Sequence, residues 1–376
     1  MISPRRLFAV ARKEVLQLCR DLRSLLLAFL LPALLLVLFG YAISFDVRDI
    51  RTGVLDEDRS AESRELLDAF RASGYFTFVA TLDGSGGIRP LLERGEALAV
   101  IVVPAGFAAD LGGGRPAAVQ ALVDGSDANS ATIALGYARG VVASWAARRA
   151  DGGGAGSAPR PPLLAETRVW FNEELESKNM IVPGLVAVVM MIVAAMLTSL
   201  TIAREWERGT MEQLAATPVT RLEVVAGKLL PYLAIGLVDV AVATALGVWL
   251  FGVPLRGSLL LLAGLSLLFL SGALGLGMFI SAVTRSQMLA TQVAMLATFL
   301  PAFLLSGFMF AISVMPRPLQ LLTYLVPARY FLVVTRGIFL KGVGLEVLSA
   351  QAWLMVAFAA AGLALAVASF RKELPG

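Results

Sequence analysis

The chain has 376 residues, of which 57% are hydrophobic and 16% are charged, and its mean hydropathy is +0.77. Soluble domains average about 45–50% apolar and about 25% charged residues, so this composition indicates an integral membrane protein. The net charge of +4 fits basic residues at the ends of membrane segments, and no basic-aromatic surface pattern accompanies it, so we expect no nucleic-acid partner.

Residues 1–23 predict an amphipathic helix at the start of the chain. Apolar residues recur there at helical spacing, and the basic residues lie mostly on the other faces. The apolar positions are Leu7, Ala11, Val15, Leu18 and Leu22. We expect this helix to lie in the cytoplasmic membrane interface and to anchor the chain, and the sequence leaves open whether it also braces an attached partner.

Six apolar runs are long enough to cross a bilayer, which takes about 17–25 helical residues. They cover residues 24–44, 181–203, 229–252, 259–283, 289–313 and 352–370. The first run is too long for the apolar part of a signal peptide and no cleavage motif follows it, so we interpret it as an uncleaved membrane helix. The sequence therefore predicts an α-helical polytopic membrane protein with six transmembrane helices.

Residues 45–180 form a long polar region between the first two runs and predict an inserted mixed α/β domain. Strand-like patterns occur in VRDIRTGVLDED, YFTFVAT, ALAVIVVP and AAVQALVDG, and helix-like patterns lie between and after them. About a hundred residues are enough for a separate core. The Gly/Ser/Pro-rich stretch 151–162 then predicts a flexible linker.

The distribution of arginine and lysine predicts the orientation in the membrane. Basic residues are concentrated before the first run, between the second and third runs, and after the last run, whereas the loop between the third and fourth runs has only Arg256. The connection 314–351 is a partial exception, since it carries Arg317, Arg329, Arg336 and Lys341. The balance places both termini in the cytoplasm and the α/β domain outside the membrane.

A short helix, about residues 210–217, is predicted between the second and third runs, on the cytoplasmic face. The preceding membrane helix can continue to Gly209, which is a good C-terminal residue, and Thr210 and Gln213 match a capping box. The short helix ends near Pro218, because the residue before a proline disfavours helical geometry. A second capping box, Thr220 to Glu223, starts the next helix. An ordinary helical connector also fits this spacing.

Asp239 lies deep within the third run. A carboxylate near the bilayer centre costs about 2.5–3.5 kcal/mol on insertion scales, so it should face a cavity, a partner or a neighbouring helix. A hydrogen bond between packed helices and a place in a translocation pathway both remain open. A proton-coupled secondary transporter that uses Asp239 is an alternative function, although no inverted repeat is evident.

Histidine and cysteine are nearly absent from the chain. The chain has no histidine and a single cysteine, Cys19, which excludes histidine-based chemistry, an intrachain disulfide and the common Cys/His metal sites. The phosphate-binding motif is absent, because Gly227-Lys228 is followed by leucine and no glycine-rich loop precedes it. We therefore expect a chain that is not an enzyme and binds no metal or cofactor.

Several stretches resemble one known family. EWERGTMEQLAATPVTRLEVVAGKLLPY is similar to the cytoplasmic signature of ABC-2 type export permeases, the membrane subunits of ATP-binding-cassette exporters. RKEVLQLCRDLRSLLLAFLLPALLLVLFGYAI and GFMFAISVMPRPLQLLTYLVPARYFLVVTRGIFLKG extend the resemblance over nearly the whole chain. VLDEDRSAESREL and IVVPAGFAADL resemble the branch with a large extracytoplasmic domain. These motifs are specific for the family and say little about the cargo.

The resemblance implies that the short helix is a coupling helix that fits a cleft on a separate ATPase subunit, which would bind the ATP and Mg. The residues that match the coupling motif are Glu205, Arg208, Gly209, Thr210, Glu212, Gln213, Leu214 and Pro218. It also implies short helices in 314–351 that dip into the membrane from outside and act as an external gate. The residues expected in that gate are Pro316, Pro327, Arg329, Tyr330 and Arg336.

The function that the resemblance implies is export. The chain would be the permease of an ATP-driven exporter in the bacterial inner membrane, moving a drug or lipid-like cargo out of the cytoplasm or inner leaflet. Its expected partners are the ATPase, the lipid bilayer, a second permease chain (identical or paralogous) and a periplasmic adaptor. A non-transporting envelope scaffold is a further alternative.

Overall fold

The computed structural model describes residues 3–42, 49–126, 128–152 and 176–370. The chain divides into two compact units. One consists of Met1–Ile43 and Val169–Gly376, and we call it the helical unit. The other, Ser44–Arg168, is inserted in the sequence of the first, and we call it the α/β unit. Most of the predicted linker, residues 153–162, lies outside the described residues.

The helical unit begins with α1 (Pro4–Arg20) and α2 (Leu22–Ala42). Proline suits the first turn of α1, because its φ is fixed near the helical value and its missing N–H would have had no partner there. Glu14 and Leu18 are buried in α1, whereas Phe8 is 69% exposed. One side of α1 therefore packs on the protein while an apolar residue remains on another side, as in a helix at a membrane interface.

The α/β unit is built on a four-stranded sheet. Its strands are β1 (Ile50–Asp56), β2 (Phe76–Thr81), β3 (Ala99–Val103) and β4 (Gln120–Val123). Its helices are α3 (Ala61–Ala72), α4 (Ile88–Glu93), α5 (Phe107–Gly112) and α6 (Ala128–Gly152). The strand order is β2-β1-β3-β4, with β1 parallel to both of its neighbours and β4 antiparallel to β3. β4 is therefore an edge strand.

The sheet separates two apolar cores. Successive residues of a strand point to opposite faces, so Ile101 and Val100 of β3 enter different cores. Ile101 packs in a core with Phe70 of α3 and Trp145 of α6, whereas Val100 packs with Leu91 of α4. β3 is buried along its whole length, which explains why its sequence is continuously apolar rather than alternating.

Eight α-helices follow in the described part of the chain after residue 175. They are α7 (Ser177–Glu207), α8 (Met211–Ala216), α9 (Arg221–Trp249), α10 (Leu259–Thr284), α11 (Gln287–Leu300), α12 (Arg317–Thr323), α13 (Pro327–Arg336) and α14 (Leu345–Ser369). A wider π-helical turn continues α11 over Pro301–Leu305, and another continues α13 over Gly337–Lys341.

Five helices among the described residues are long and apolar enough to cross a membrane. They are α7, α9, α10, α14 and α11 with its π-helical turn. The pair α12–α13 is bent by 76° and would add one more span if it were counted as one, whereas Ala28–Ala42 of α2 is a shorter apolar helix. The prediction of a mostly helical, polytopic membrane protein is thus confirmed, but the six predicted runs do not map one to one onto the five long helices.

Two predicted runs differ from the structure in extent. The run 289–313 ends as helix at Leu305, because the chain then turns through Gly307, whose φ of +85° leaves the helical region. The run 352–370 belongs to a helix that already begins at Leu345, directly after Gly344. The connection between these two helices is therefore 306–344 rather than 314–351, and it is filled mainly by α12 and α13.

α7 is the central helix of the helical unit. It packs against α2, α9, α10, α11 and α13, and 89% of its apolar stretch is buried within the unit. A helix that is apolar on all sides is expected in such a position. Its closest neighbour is α10, because Gly277 has no side chain to separate the two backbones. A methyl group at Gly277 would lie 2.3 Å from the carbonyl oxygen of Ala195.

Gly277→Ala should therefore destabilise the helical unit by about 1–3 kcal/mol, the usual cost of overpacking. Gly264→Ala on the same helix is the matched control, since nothing lies within 4 Å of its added methyl group. The thermal unfolding midpoints of the purified variants measure both effects. Equal midpoints for the two variants would contradict the close contact between α7 and α10.

Candidate functional site

The candidate site lies where α1, the end of α7, α8 and the start of α9 meet. α7 ends at Glu207, and Gly209 turns the chain with a φ of +68°. Glycine adopts this left-handed conformation without the steric cost that a Cβ atom brings. α8 follows as a separate helix of 6 residues, and α9 begins after Thr220. α8 is therefore a short connecting helix between two long apolar helices.

The start of α9 has the predicted capping box. The Thr220 hydroxyl oxygen accepts from the Glu223 N–H at 3.3 Å, and the Glu223 carboxylate accepts from the Thr220 N–H at 2.8 Å. The N-terminal segment joins this turn, since Ser3 N–H donates to Glu223 and Arg6 donates to the Pro218 carbonyl oxygen, both at 2.6 Å. The turn before α9 is thus held by the capping box of α9 and by the N-terminal segment of the chain.

A buried group of charges joins α1, α7 and α9. The ammonium of Lys228 in α9 contacts Glu14 of α1 and lies 3.2 Å from the Glu205 carboxylate of α7. Lys13 of α1 also donates to Glu205, at 2.8 Å. Lys228, Glu14 and Glu205 are 2%, 2% and 4% exposed. We call these four residues the charge cluster, and their pairing is what makes the burial of Lys228, Glu14 and Glu205 tolerable.

The charge cluster is connected to α8 through Thr210. The Thr210 hydroxyl donates to the Glu205 carboxylate, so the residue just before α8 is tied to the last turns of α7. Met211, the first residue of α8, is only 3% exposed. The beginning of α8 is therefore attached to the rest of the helical unit by one polar and one apolar contact.

The predicted coupling residues fall into two groups. Glu205 is buried in the charge cluster, and Thr210 is half-buried beside it. The remaining described members share an exposed position in or next to α8. They are Arg208, Gly209, Glu212, Gln213 and Pro218. The side chain of Leu214 lies outside the described residues. The exposed group forms a surface that a partner protein can reach.

Other polar contacts hold the last turn of α7. Arg204 Nη2 lies 3.1 Å from the Asp21 carboxylate, between α1 and α2. The Glu207 carboxylate accepts from the Gln287 backbone N–H at 2.7 Å, at the start of α11. The end of α7 is thus fixed to several neighbours by charge and hydrogen bonding rather than by apolar contact alone.

The sequence analysis missed Lys13, Glu14 and Lys228 as members of the site. Local sequence signals mark two of these residues, Glu14 and Lys228. Glu14 interrupts the apolar stripe of α1 between Ala11 and Leu18 at helical spacing, and Lys228 is a charge within the first two turns of an apolar helix. A charged residue on a face that is otherwise buried requires a partner of opposite charge.

Asp239 lies in the middle of α9 and is 3% exposed. Its Oδ2 atom has no hydrogen-bond partner in the part of the chain that the structure describes. The hydroxyl of Thr244, farther along the same helix, is also buried without a partner there. Within the described chain there is therefore no interhelical hydrogen bond at Oδ2 that would explain a carboxylate at this depth.

The predicted gate residues lie on the bent pair α12–α13. Pro316 directly precedes α12 and Pro327 is the first residue of α13, where proline is favoured. The Arg329 guanidinium lies 4.1 Å from the centre of the Tyr324 ring and donates to the Thr323 hydroxyl. Arg329 thus holds the bend between the two helices.

Two further gate residues make backbone contacts. The Tyr330 hydroxyl donates to the Tyr324 carbonyl oxygen at 2.8 Å, which strengthens the same bend. Arg336 Nε donates to the Met180 carbonyl oxygen at 3.3 Å, and its guanidinium lies beside Gly184. Arg336 therefore connects α13 to the first turns of α7.

Comparison with known proteins identifies the family. The family model described as ABC-2 family transporter protein matches residues 23–368. The chain belongs to this family. It is the permease subunit of an ATP-binding-cassette transporter, and permeases of this family work with a separate ATPase subunit that hydrolyses the ATP. The resemblance noted in the sequence is confirmed.

The relatives of this permease match it over most of their length. The probable multidrug ABC transporter permease YbhS of Escherichia coli K12 is 39% identical over 343 residues, which cover 91% of this chain and 90% of the relative. The probable multidrug ABC transporter permease YbhR of the same strain is 30% identical over 370 residues, which cover 98% of this chain and 99% of the relative. The inner membrane transport permease YhhJ of Escherichia coli K12 is 28% identical over 291 residues, which cover 75% of each chain.

Lys228→Met should loosen α1 from the helical unit, because it leaves Glu14 and Glu205 buried with less positive charge. Removing one partner of a buried ion pair costs about 3–5 kcal/mol. Limited trypsin digestion should then cleave α1 faster at the exposed Arg12 and Arg20.

Two further variants control this experiment. Lys13→Met should change the thermal midpoint little, since the side chain of Lys13 is 52% exposed. Glu14→Gln combined with Lys228→Met should recover part of the lost thermal stability, since one buried carboxylate without a cation is removed as well. Wild-type digestion rates and midpoints in Lys228→Met would show that the charge cluster does not hold α1.

Proposed function

We propose that this permease is the membrane subunit of an ATP-driven exporter of the bacterial inner membrane, and that α8 is its coupling helix. The observation that carries the proposal is the combination of an exposed outer side of α8 with a fixed inner attachment. Glu212 and Gln213 are exposed, whereas Met211 is buried and Thr210 is bonded to Glu205. A force that a partner protein applied to the exposed side of α8 would therefore be transmitted directly to α7 and α9.

The central position of α7 supports a mechanism in which that force opens the pathway. Closure of two ATPase subunits, which bind ATP and Mg, would push α8 and rock α7 and α9. Because α7 also packs against α10, α11 and α13, a change in its tilt alters packing across the unit. The hydrogen bond from Arg336 to Met180 would pass the movement to α13 at the opposite end of α7.

The proposed topology has both termini in the cytoplasm, α8 on the cytoplasmic face and the α/β unit outside. In this arrangement α2, α7, α9, α10, α11 and α14 are the six spans, and α12–α13 enters the membrane from outside as the external gate. The distribution of basic residues supports this orientation. The basic residues of α12 and α13 would then be explained by local contacts, such as that of Arg329 with Tyr324, rather than by topology.

We propose a hydrophobic or amphipathic cargo, drug or lipid-like, for the same permease. Two relatives that match nearly the whole chain are described as probable multidrug permeases, which supports this class. A second permease chain, identical or paralogous, would complete the pathway, and a periplasmic adaptor would receive cargo from the α/β unit. Crosslinking of the α/β unit in intact cells is the test for such an adaptor.

Glu212→Arg should uncouple ATP hydrolysis from export, because it reverses a charge on the exposed side of α8 and leaves the charge cluster intact. Gly209→Pro should have the same effect, since proline cannot adopt the φ of +68° at this turn. Coupling free energies of 1–3 kcal/mol correspond to about 5–150-fold changes, so export per ATP hydrolysed should fall by about tenfold.

Transport into inverted vesicles and ATP turnover of the co-purified complex measure this ratio. Arg221→Glu is the control, because it reverses an exposed charge on the same connection but outside α8. Full export by both Glu212→Arg and Gly209→Pro would overturn the assignment of α8 as the coupling helix.

A proton-coupled transporter is the one alternative that a structural observation favours, since Asp239 is buried without a hydrogen bond at Oδ2 in the described chain. Asp239→Asn separates the two functions. An ATP-driven exporter should keep substantial ATP-dependent transport in this variant, even with the proton gradient collapsed by an ionophore. Loss of all transport in the variant, together with sensitivity of the wild type to the ionophore, would support proton coupling instead.

A further inference from the structure

The α/β unit contains an apolar groove that opens to its surface. The groove lies between β4 and α6, and Phe70 of α3 and Ile101 of β3 form its base. Its volume of about 390 Å³ falls within the range of small-molecule sites, about 300–1,000 Å³. Every described residue that lines it belongs to the α/β unit.

The groove exists because α6 does not close over the edge of the sheet. Alternate residues leading into and along β4 point to the α6 side, and all four are apolar: Ala117, Val119, Ala121 and Val123. In a closed two-layer packing such an alternating face would be fully buried. Here all four residues are only partly buried against the core. Val119 and Ala121 form one wall of the groove, and α6 forms the other.

Among the described residues that line this apolar surface, one carries a charge. Arg139 of α6 is exposed and forms no ion pair or hydrogen bond with any residue in the described parts of the chain. Arg149 on the same helix differs, because it pairs with Glu62 at 3.4 Å and with Glu65 at 3.0 Å. Among the described residues, no acidic one lines the groove. A guanidinium in this setting favours a carboxylate, sulfate or phosphate, which it can bind through two parallel hydrogen bonds.

We propose that this groove binds an anionic amphiphile, a fatty-acid-like or lipid-like molecule whose acid group pairs with Arg139 and whose apolar body lies over Phe70 and Ile101. A small polar anion would leave the apolar lining in contact with water. A peptide that extended the sheet would pair with the backbone of β4 and would use neither Arg139 nor the base of the groove. Binding needs no ATP and no partner subunit. A failure of this proposal can therefore be distinguished from a failure of the proposed coupling function of α8.

The test uses the full chain in nanodiscs of phosphatidylcholine and palmitic acid that carries a photoreactive diazirine on its chain. Peptides labelled on illumination are mapped by mass spectrometry. The spanning helix α14 provides the internal standard, since probe dissolved in the bilayer reaches it in every variant. We expect saturable labelling of β4 and α6, which excess unlabelled palmitate removes.

Two variants and their controls test the lining and the charge. Ala143→Trp fills the groove from an exposed position and should abolish its labelling, whereas Ser144→Trp, which does not line the groove, should not. Arg139→Glu should weaken binding about tenfold, as expected for loss of a charged hydrogen bond, while Arg148→Glu should leave it unchanged. Because Arg139 is exposed, its replacement leaves the core intact.

The headgroup preference is tested with a probe of the same chain that carries a quaternary ammonium group. It should label the groove several times less than the palmitate probe, relative to α14. Labelling confined to the spanning helices would overturn the proposal, whether the groove is filled by protein or closed to lipid. Equal labelling by both probes, or unchanged labelling in Ala143→Trp and Arg139→Glu, would overturn it as well.

Discussion

The arrangement of the helical unit depends on one buried cation. Lys228 enters a part of the protein from which water is excluded, and its charge is tolerated because Glu14 and Glu205 approach it from two other helices. The hydrophobic effect is non-directional and does not by itself specify which residues of α1, α7 and α9 face one another. An ammonium between two carboxylates fixes their relative positions, and the carboxylate of Glu205 also holds Thr210. α8 therefore begins at the point where three helices are joined.

Much of the helical architecture could be predicted because its signals are local. The turn after α7 needs a positive φ, so Gly209 marks it, and the capping box from Thr220 to Glu223 marks the start of α9. The charge cluster could not be predicted, since Glu14 and Lys228 are 214 positions apart. Helical spacing shows that each lies on a packed face but does not say which carboxylate meets which ammonium. The roles of Glu212, Gln213 and the gate residues stay predictions.

In the α/β unit, too, local sequence patterns predict the strands but not how the elements pack against one another. The sequence predicts strands in ALAVIVVP and AAVQALVDG, where β3 and β4 lie. Val119 and Ala121 lie on the face of the sheet that is turned toward α6. How far α6 extends over that face depends on the packing angle of the helix on the sheet, which no local pattern encodes. The groove beside Arg139 results from that angle. An amphiphile site there would give the unit a part in handling cargo, in keeping with the proposed export of lipid-like molecules.

The central claim is that the exposed side of α8 is the contact with the ATPase subunit. The most direct measurement places the photocrosslinker benzoylphenylalanine at position 212 in a permease co-purified with its ATP-binding-cassette ATPase. The same residue at position 260, where Leu260 is 84% exposed at the start of α10, is the control. The account predicts a crosslink to the ATPase from position 212 and none from position 260. A complex that forms without a crosslink from position 212, or that crosslinks equally from both positions, would contradict it.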